Sequence, residues 1–312
     1  MSHEIAPREH TLAMADEVEL HVEDWLLPPG RARRGGLLLV HGLGEHIGRY
    51  RHVIRALLSV GIEVRGYDQR GFGRSPGPRG AIARDDALLD DLKLVYDDWC
   101  TDRGEQSFLL GHSMGGAVAG LAATGGWISP RALVLSSPAL ATRRSRLQDL
   151  ALRIGRRLSP DRAVPSGLKA DFVSRDPAVV AAYRRDPLNH GLITPRLAGF
   201  IVEAGPRVIA AAPKVGFPVL VLVATRDRLV DVAGARQFHD RLPPGLGTLR
   251  VYEGFYHEVF NEPDEDQARV LDDLETWLTR VSADANGGVT GELPGRMRGV
   301  MHGGKHGGAG AG

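Results

Sequence analysis

The sequence predicts an α/β protein with a mostly parallel central sheet, helices on both faces of the sheet, and a helical cap inserted over its carboxyl edge. Apolar runs typical of buried strands alternate with segments of helical periodicity along most of the chain. Such strands, separated by helices, are typical of a parallel sheet that is covered on both faces. Residues 139–213 break the alternation, because they carry helical patterns and no convincing strand.

The first half of the chain supplies most of the predicted sheet. Residues 10–27 are predicted to form two strands around a turn near Ala15 and Asp16. The elements that follow are strand GGLLLVHG, helix RYRHVIRALLSVG closed by Gly61, strand IEVRGYD, helix DDALLDDLKLVYDDWC, a strand ending at Leu110, a helix over Ala117–Ala123, and strand RALVLSSP.

The second half completes the sheet and ends in a glycine-rich segment. Strand FPVLVLVATRD, helix AGARQFHDRL, strand TLRVYEG and helix ARVLDDLETWLTRV follow the insertion. We therefore expect residues 1–138 and 214–283 to form the core and 139–213 to form the cap, placed where such sheets bind ligands. Residues 284–312 are predicted to be a disordered tail, in which His302 and His306 are solvated rather than metal ligands.

Composition excludes several classes of protein. Lys and Arg number 39 against 38 Asp and Glu, so no excess of positive charge indicates nucleic acid. Cys100 is the single cysteine, which excludes an internal disulfide framework. The segment MSHEIAPREH does not resemble a signal peptide, and no apolar run approaches the ~20 residues of a membrane span. We expect a cytoplasmic protein.

The stretch GHSMGG joins an apolar strand to a helix made of small residues. Gly-x-Ser-x-Gly between a strand and a helix is the nucleophile elbow, which raises a serine hydroxyl above the sheet. Ser113 is therefore the candidate nucleophile. The alternative is a glycine-rich turn that only packs, with Ser113 incidental.

A serine nucleophile needs a base and an acid that orients the base, and in this architecture they follow in the order Ser, Asp or Glu, His. Asp227 ends one predicted strand, and His257 lies just beyond the next. Asp231 and His239 are the alternatives, but Asp231 is further from the strand end and His239 is within a predicted helix.

Hydrolysis also needs donors for the oxyanion. One is expected from the backbone N–H of Met114, the residue after the nucleophile. The second is expected from Leu43 in the His41-Gly42-Leu43-Gly44 loop, where glycines let the backbone approach the substrate. His41 itself is interpreted as a structural hydrogen-bonding residue.

Five segments resemble the monoacylglycerol lipase and lysophospholipase family of α/β-hydrolases. They are VHGLGEHIGRY, GYDQRGFGRSPGPRG, GHSMGG, DPLNHGLITPRL and HEVFNEP, and the resemblance spans residues 9–281. The resemblance implies the α/β-hydrolase fold, the triad Ser113, Asp227 and His257, and the donors Leu43 and Met114, with no cofactor.

The resemblance also implies residues that contact the alcohol part of the substrate. Glu45, Arg49 and Tyr183 match residues that hold glycerol in the animal enzymes. Phe260 occupies the place of a further family histidine, which leaves glycerol recognition open. Glu45 and Arg49 can equally be a structural ion pair.

The sequence therefore predicts a serine carboxylester hydrolase that cleaves monoacylglycerol or lysophospholipid through an acyl-enzyme. The alternatives on the same triad are a short-chain esterase, a peptidase or an acyltransferase. A non-catalytic receptor on the same scaffold is the alternative from another class.

A last pattern concerns a membrane surface. In RLQDLALRIGRRL an aliphatic stripe of Leu147, Leu150, Ala151, Ile154 and Leu158 lies beside a face rich in arginine. One interpretation is a cap helix that lies in a lipid interface. The other is a lid helix that buries the stripe against the core and exposes its arginines to water.

Overall fold

A computed structural model describes residues 6–286, which form a central eight-stranded sheet with helices on both faces. The strand order is β1-β2-β4-β3-β5-β6-β9-β10. β1 and β2 are antiparallel to each other, β2 is antiparallel to β4, and all later pairs are parallel. The strands are β1 Arg8–Ala13, β2 Glu19–Trp25, β3 Gly35–Val40, β4 Ile62–Tyr67, β5 Phe108–His112, β6 Leu133–Ser136, β7 Val164–Pro165, β8 Leu192–Ile193, β9 Val219–Ala224 and β10 Gly247–Tyr252.

Eight α-helices are present in the described part of the chain. They are α1 Arg51–Ser59, α2 Ala87–Arg103, α3 Met114–Thr124, α4 Arg146–Leu158, α5 Pro177–Arg185, α6 Pro195–Ala211, α7 Val232–Asp240 and α8 Asp264–Asn286. The predicted α/β fold with a mostly parallel sheet is confirmed.

The sheet separates two apolar cores, because alternate side chains of each strand point to opposite faces. In β3, Leu38 and Val40 pack in one core with α2 and α3, whereas Leu37 and Leu39 pack in the other with α1 and α8. Every residue of β3, β4, β5, β6 and β9 is buried. This explains why β3, β5, β6 and β9 are largely apolar in sequence, whereas in β4 the buried Glu63 and Arg65 are paired with Arg33 and Asp24.

The insertion between β6 and β9 contains α4, β7, α5, β8 and α6. The expectation that it has no strand was wrong, because β7 and β8 pair antiparallel. Each has only two residues, which is too short to show a periodic pattern. Later residues of α6, including Ala204 and Val208, pack in the same core as α3. The insertion thus rejoins the core layer before residue 213.

Helix α4 keeps its aliphatic stripe at the surface and has no buried residue. Leu147 is 78% exposed and Leu158 is 72% exposed, with Leu150 and Ile154 at about half. The interpretation of α4 as a lid helix that buries this stripe is therefore wrong. The reason is that α4 meets α6 through its other side, where Gly155 lies against Pro195 and Arg156 lies against Gly199.

The C-terminal helix α8 extends through Asn286, so the first three residues of the predicted disordered tail are helical. The rest of that tail, with His302 and His306, lies outside the described residues. No helix within residues 6–286 combines the length and the apolar character needed to cross a membrane.

Candidate active site

Ser113 lies in a sharp turn between the end of β5 and the first residue of α3. Its φ is 54° and its ψ is −119°, in a region that non-glycine residues rarely adopt. Two glycines make the turn sterically feasible. A Cβ on Gly111 would lie 2.4 Å from the carbonyl oxygen of Gly115, and one on Gly115 would lie 2.3 Å from those of Val40 and His41. The sequence GHSMGG therefore forms the strand–elbow–helix geometry that exposes a serine hydroxyl above a sheet.

The structure brings Ser113, His257 and Asp227 into one hydrogen-bonded chain. His257 Nε2 lies 2.8 Å from Ser113 Oγ, and His257 Nδ1 lies 2.6 Å from Asp227 Oδ2. The second oxygen, Asp227 Oδ1, accepts the N–H groups of Leu229 and Val230 at 2.8 and 3.0 Å. This leaves Oδ2 directed at the imidazole, which fixes the ring with Nε2 toward the serine.

Electrostatics prepare the imidazole to accept a proton. Burial opposes charge on His257, but the Asp227 carboxylate and its hydrogen bond raise the pKa of His257 above its usual value. Burial likewise opposes charge on Asp227, but His257 and the two backbone N–H donors lower the pKa of Asp227. His112, whose ring centroid lies 4.9 Å from that of His257, stays neutral because burial and His257 lower its pKa to about 4.

The alternative residues lie elsewhere. Asp231 Oδ1 accepts the N–H of Ala233 at 3.1 Å and caps the N-terminus of α7. His239 lies on α7 with its Nδ1 3.2 Å from Asp240. Neither residue contacts Ser113 or His257 among the hydrogen bonds of the described residues.

The loop after β3 lies beside Ser113 and leaves backbone donors free. Within residues 6–286, neither the Leu43 nor the Met114 N–H has a hydrogen-bond acceptor, and both residues line the cavity at Ser113. His41 supports this loop, because its Nδ1 lies 2.8 Å from the Gly42 carbonyl and its Nε2 accepts the N–H of Gln69 at 2.9 Å. His41 is thus fully engaged in hydrogen bonds and buried.

Glu45 and Arg49 form an ion pair, with Arg49 Nη1 2.6 Å from Glu45 Oε2. Arg49 also donates two hydrogen bonds of 2.6 Å to Glu258. Burial opposes charge on Glu45, but Arg49 lowers its pKa to about 2. The guanidinium carbon of Arg49 lies 4.7 Å from the centre of the Tyr183 ring. Of the three residues named from the family resemblance, Arg49 therefore contacts both of the others.

Two cavities meet at Ser113 and share Leu43, Leu168 and Leu229. The larger, of about 190 Å³, is lined mainly by apolar side chains, among them Met114, Ile193, Ile201 and Val230. The smaller, of about 20 Å³, is called the polar cavity because its lining combines apolar residues with six polar or charged side chains, those of Glu45, His112, Lys169, Tyr183, His257 and Glu258. The serine hydroxyl thus lies between an apolar chamber and a narrow polar one.

Glu258 was missed by the sequence analysis. It is the neighbour of His257 in the chain, but acidic residues in loops are usually solvated, so the pattern gave no sign that Glu258 is buried and paired with Arg49. Phe260, which occupies the place of the family histidine, packs in the core on the side of α1 and α8. The polar cavity therefore has a carboxylate next to the histidine rather than a second imidazole.

Comparisons with known proteins identify the family of the chain. The family model described as "Serine aminopeptidase, S33" matches residues 31–264. The monoacylglycerol lipase of Mycolicibacterium smegmatis is 36% identical over 277 residues, covering 86% of this chain and 96% of that protein.

Solved structures give the same result. The Paleococcus ferrophilus monoacylglycerol lipase has a TM-score of 0.77 and 30% identity, covering 84% of this chain and 99% of that one. A soluble variant of the Saccharomyces cerevisiae monoglyceride lipase has a TM-score of 0.82, covering 90% of this chain and 97% of that one, and at 22% identity it shows the shared fold. The chain belongs to the serine aminopeptidase S33 family of α/β-hydrolases, in which it resembles monoacylglycerol lipases, and the family assignment made from the sequence is confirmed.

Proposed function

We propose that this serine hydrolase cleaves the ester bond of a single-chain acyl lipid, with monoacylglycerol as the preferred substrate. The observation that carries the proposal is the junction of the two cavities at Ser113. An ester carbonyl at Ser113 would direct its acyl chain into the apolar cavity and its alcohol into the polar one.

The proposed nucleophile is Ser113, with His257 as base and Asp227 as the orienting acid. His257 Nε2 takes the hydroxyl proton as Ser113 Oγ attacks the carbonyl carbon. The N–H groups of Leu43 and Met114 stabilise the oxyanion. Protonated His257 then gives its proton to the leaving alcohol, and a water molecule, activated by the same imidazole, releases the fatty acid and restores Ser113.

The small size of the polar cavity favours a small alcohol. At about 20 Å³ against about 190 Å³ for the apolar cavity, it is the narrower of the two, which favours glycerol over the larger, phosphate-containing headgroup of a lysophospholipid. We propose that Glu45 and Tyr183 contact the glycerol hydroxyls. Arg49 would hold both in place, through its ion pair with Glu45 and its contact with the Tyr183 ring.

We propose that residues 139–213 act as a cap on a core formed by residues 1–138 and 214–283. The insertion supplies Leu168, Tyr183, Ala198 and Ile201 to the walls of the two cavities. The substrate would therefore bind between the cap and the carboxyl ends of the parallel strands.

We further propose that the cap contacts the lipid surface from which the substrate is taken. Of the eight large apolar side chains exposed in the described part of the chain, seven belong to the insertion, and four of these form the stripe on α4. Arg143, Arg146, Arg153 and Arg157 are exposed beside the stripe. An apolar stripe flanked by cations suits a membrane that contains anionic lipid.

Vesicle binding tests this contact. We expect the protein to co-sediment with vesicles that contain anionic lipid, and binding to weaken as salt screens the charges. Arg153→Glu with Arg157→Glu should lower turnover of vesicle-borne monoacylglycerol and spare a soluble short-chain ester. Equal losses on both substrates, or no binding at low salt, would contradict the proposal.

A panel of esters tests the substrate. Long-chain monoacylglycerol should be hydrolysed with a higher kcat/KM than lysophospholipid, triacylglycerol or p-nitrophenyl acetate. Activity confined to the short ester would leave a general esterase. Tight binding of a ligand with no ester turnover would favour a receptor.

An aminopeptidase is the second candidate, because the matched family model carries that description. It would need a carboxylate whose charge is not already paired to bind the substrate's ammonium group, whereas a glycerol hydroxyl needs only a hydrogen-bond acceptor. In the polar cavity, Glu45 is already bonded to Arg49, Tyr50 and Gly42, and Glu258 is bonded to Arg49 and Asn261. We therefore expect amino-acid p-nitroanilides to be poor substrates.

A further inference from the structure

We propose that Glu258 is a positioning residue. Through a buried bridge made of Arg49 and Glu45, it fixes the loop that carries His257 to the oxyanion loop, residues 41–44 after β3. This inference rests on the proposed hydrolytic function, and it assigns a role to a residue outside the triad and the oxyanion donors.

The bridge is continuous from one loop to the other. Arg49 Nη1 and Nη2 donate to Glu258 Oε1 and Oε2, both at 2.6 Å, in a bidentate pair. The same Nη1 lies 2.6 Å from Glu45 Oε2. Glu45 Oε1 accepts the backbone N–H of Gly42 at 2.6 Å. The bridge therefore begins at the residue after His257 and ends at the residue before Leu43.

The bridge is rigid because its charges are buried and mutually paired. The side chains of Arg49, Glu45 and Glu258 are only 10%, 4% and 6% exposed. A buried charge is costly unless it is paired and hydrogen-bonded, so each carboxylate is held where the guanidinium fork can reach it. Tyr50 and Asn261 donate further hydrogen bonds to the two carboxylates, at 2.6 and 2.8 Å.

The same bridge places negative charge beside the catalytic imidazole. Asp227 faces His257 from the loop after β9, and Glu45 faces it from the oxyanion loop. Both carboxylates raise the pKa of His257, and Glu258 does so as well.

Three further groups share the surroundings of His257. His112 packs against the imidazole from the end of β5 and is neutral. Lys169 of the cap lines the same cavity. Arg49 pairs with both glutamates. Burial opposes its charge, but the two carboxylates hold the pKa of Arg49 well above its usual value. Neutralising Glu258 should therefore lower the pKa of His257.

The test uses Glu258→Gln, Arg49→Lys and the double variant. Each single variant should lower kcat on monoacylglycerol by roughly 10- to 100-fold, the loss expected when catalytic groups shift by about an ångström, with a smaller change in KM. The double variant should lose far less than the product of the two single losses, because both act through one bridge. The acid limb of the kcat/KM profile should move to lower pH in Glu258→Gln.

Glu262→Gln is the matched control. Glu262 is a buried carboxylate on the same loop that pairs with Arg175 at 2.6 Å and lines neither cavity. It also accepts the Tyr256 N–H at 2.6 Å, a hydrogen bond that the amide oxygen of glutamine can keep. Its loss should lower thermal stability and leave the acid limb where it is in the wild type. An unmoved acid limb in Glu258→Gln, or strictly multiplicative losses in the double variant, would overturn the proposal.

The kcat of Arg49→Lys and the rate of fluorophosphonate labelling test the positioning role independently of Glu258→Gln and of the lipid substrate. If Glu258→Gln does not fold, Arg49→Lys decides alone: it keeps the positive charge but loses the bidentate fork, so near-normal kcat would overturn the proposal. The rate at which a fluorophosphonate labels Ser113 should fall in parallel with kcat. Because labelling needs no lipid, the positioning role remains testable even if the wild type fails to cleave monoacylglycerol.

Discussion

Replacing Asp227 by asparagine should hold His257 in the wrong tautomer, in which Nε2 cannot accept the serine proton, without disturbing the fold. The new amide oxygen can keep the hydrogen bonds from the Leu229 and Val230 N–H groups, which lie 2.8 and 3.0 Å from Asp227 Oδ1. Its NH₂ group would then face His257 Nδ1, which lies 2.6 Å from the present carboxylate. Nδ1 must accept, so Nε2 carries the proton and cannot take another from Ser113.

The expected loss in kcat is about 10⁴-fold, as for serine hydrolases whose histidine is held in the wrong tautomer. At about 1.36 kcal/mol per factor of ten, this corresponds to roughly 5.4 kcal/mol of lost transition-state stabilisation. Steady-state hydrolysis of monoacylglycerol, with thermal unfolding measured alongside, provides the assay.

Asp231→Asn is the matched control, because asparagine caps a helix about as well as aspartate does. It should leave activity near that of the wild type. A loss of less than about tenfold in Asp227→Asn, or a larger loss in Asp231→Asn, would show that Asp227 does not orient His257.

Three further predictions follow from the site and its supports. The kcat/KM should fall as the pH drops through the pKa of His257, because only neutral imidazole accepts the serine proton, and Asp227 raises that pKa so that the loss begins above 6.5; a midpoint below 6.5 would contradict this. Ala198→Phe should fill part of the apolar cavity of about 190 Å³ and reduce turnover of long-chain esters far more than that of acetate esters, whereas equal losses would place the acyl chain elsewhere. Gly115→Ala should lower the free energy of unfolding by about 1–3 kcal/mol in denaturant titrations, because of its clash with backbone oxygens. Gly216→Ala, where the added Cβ meets nothing within 4 Å, should be near neutral. Similar effects of the two substitutions would argue against the close approach of Gly115 to the backbone at the end of β3.

The fold was predictable because its signals are local and repeated. Most buried strands of the parallel sheet are short apolar runs, and the glycines of GHSMGG sit where the structure leaves no room for a Cβ. Strand ends also carry spatial information, since the carboxyl ends of parallel strands share one edge. That rule is what placed Asp227 and His257 as candidates near Ser113.

Other features depend on contacts between residues distant in sequence. Arg49 and Glu258 are 209 residues apart, and nothing local to either shows that they pair. Strands β7 and β8 have two residues each and exist only because they meet. The exposure of the α4 stripe depends on which side of the helix α6 covers, and an amphipathic pattern alone does not decide that.

The central claim is that Ser113 carries the acyl group of a single-chain lipid during turnover. Rapid acid quenching of the protein with long-chain monoacylglycerol, followed by mass spectrometry of its peptides, tests this directly. We expect a fatty acyl ester on Ser113 in the wild type, and neither adduct nor hydrolysis in a folded Ser113→Ala variant. An acyl ester on a different residue, or monoacylglycerol hydrolysis that persists in Ser113→Ala, would show that Ser113 is not the nucleophile.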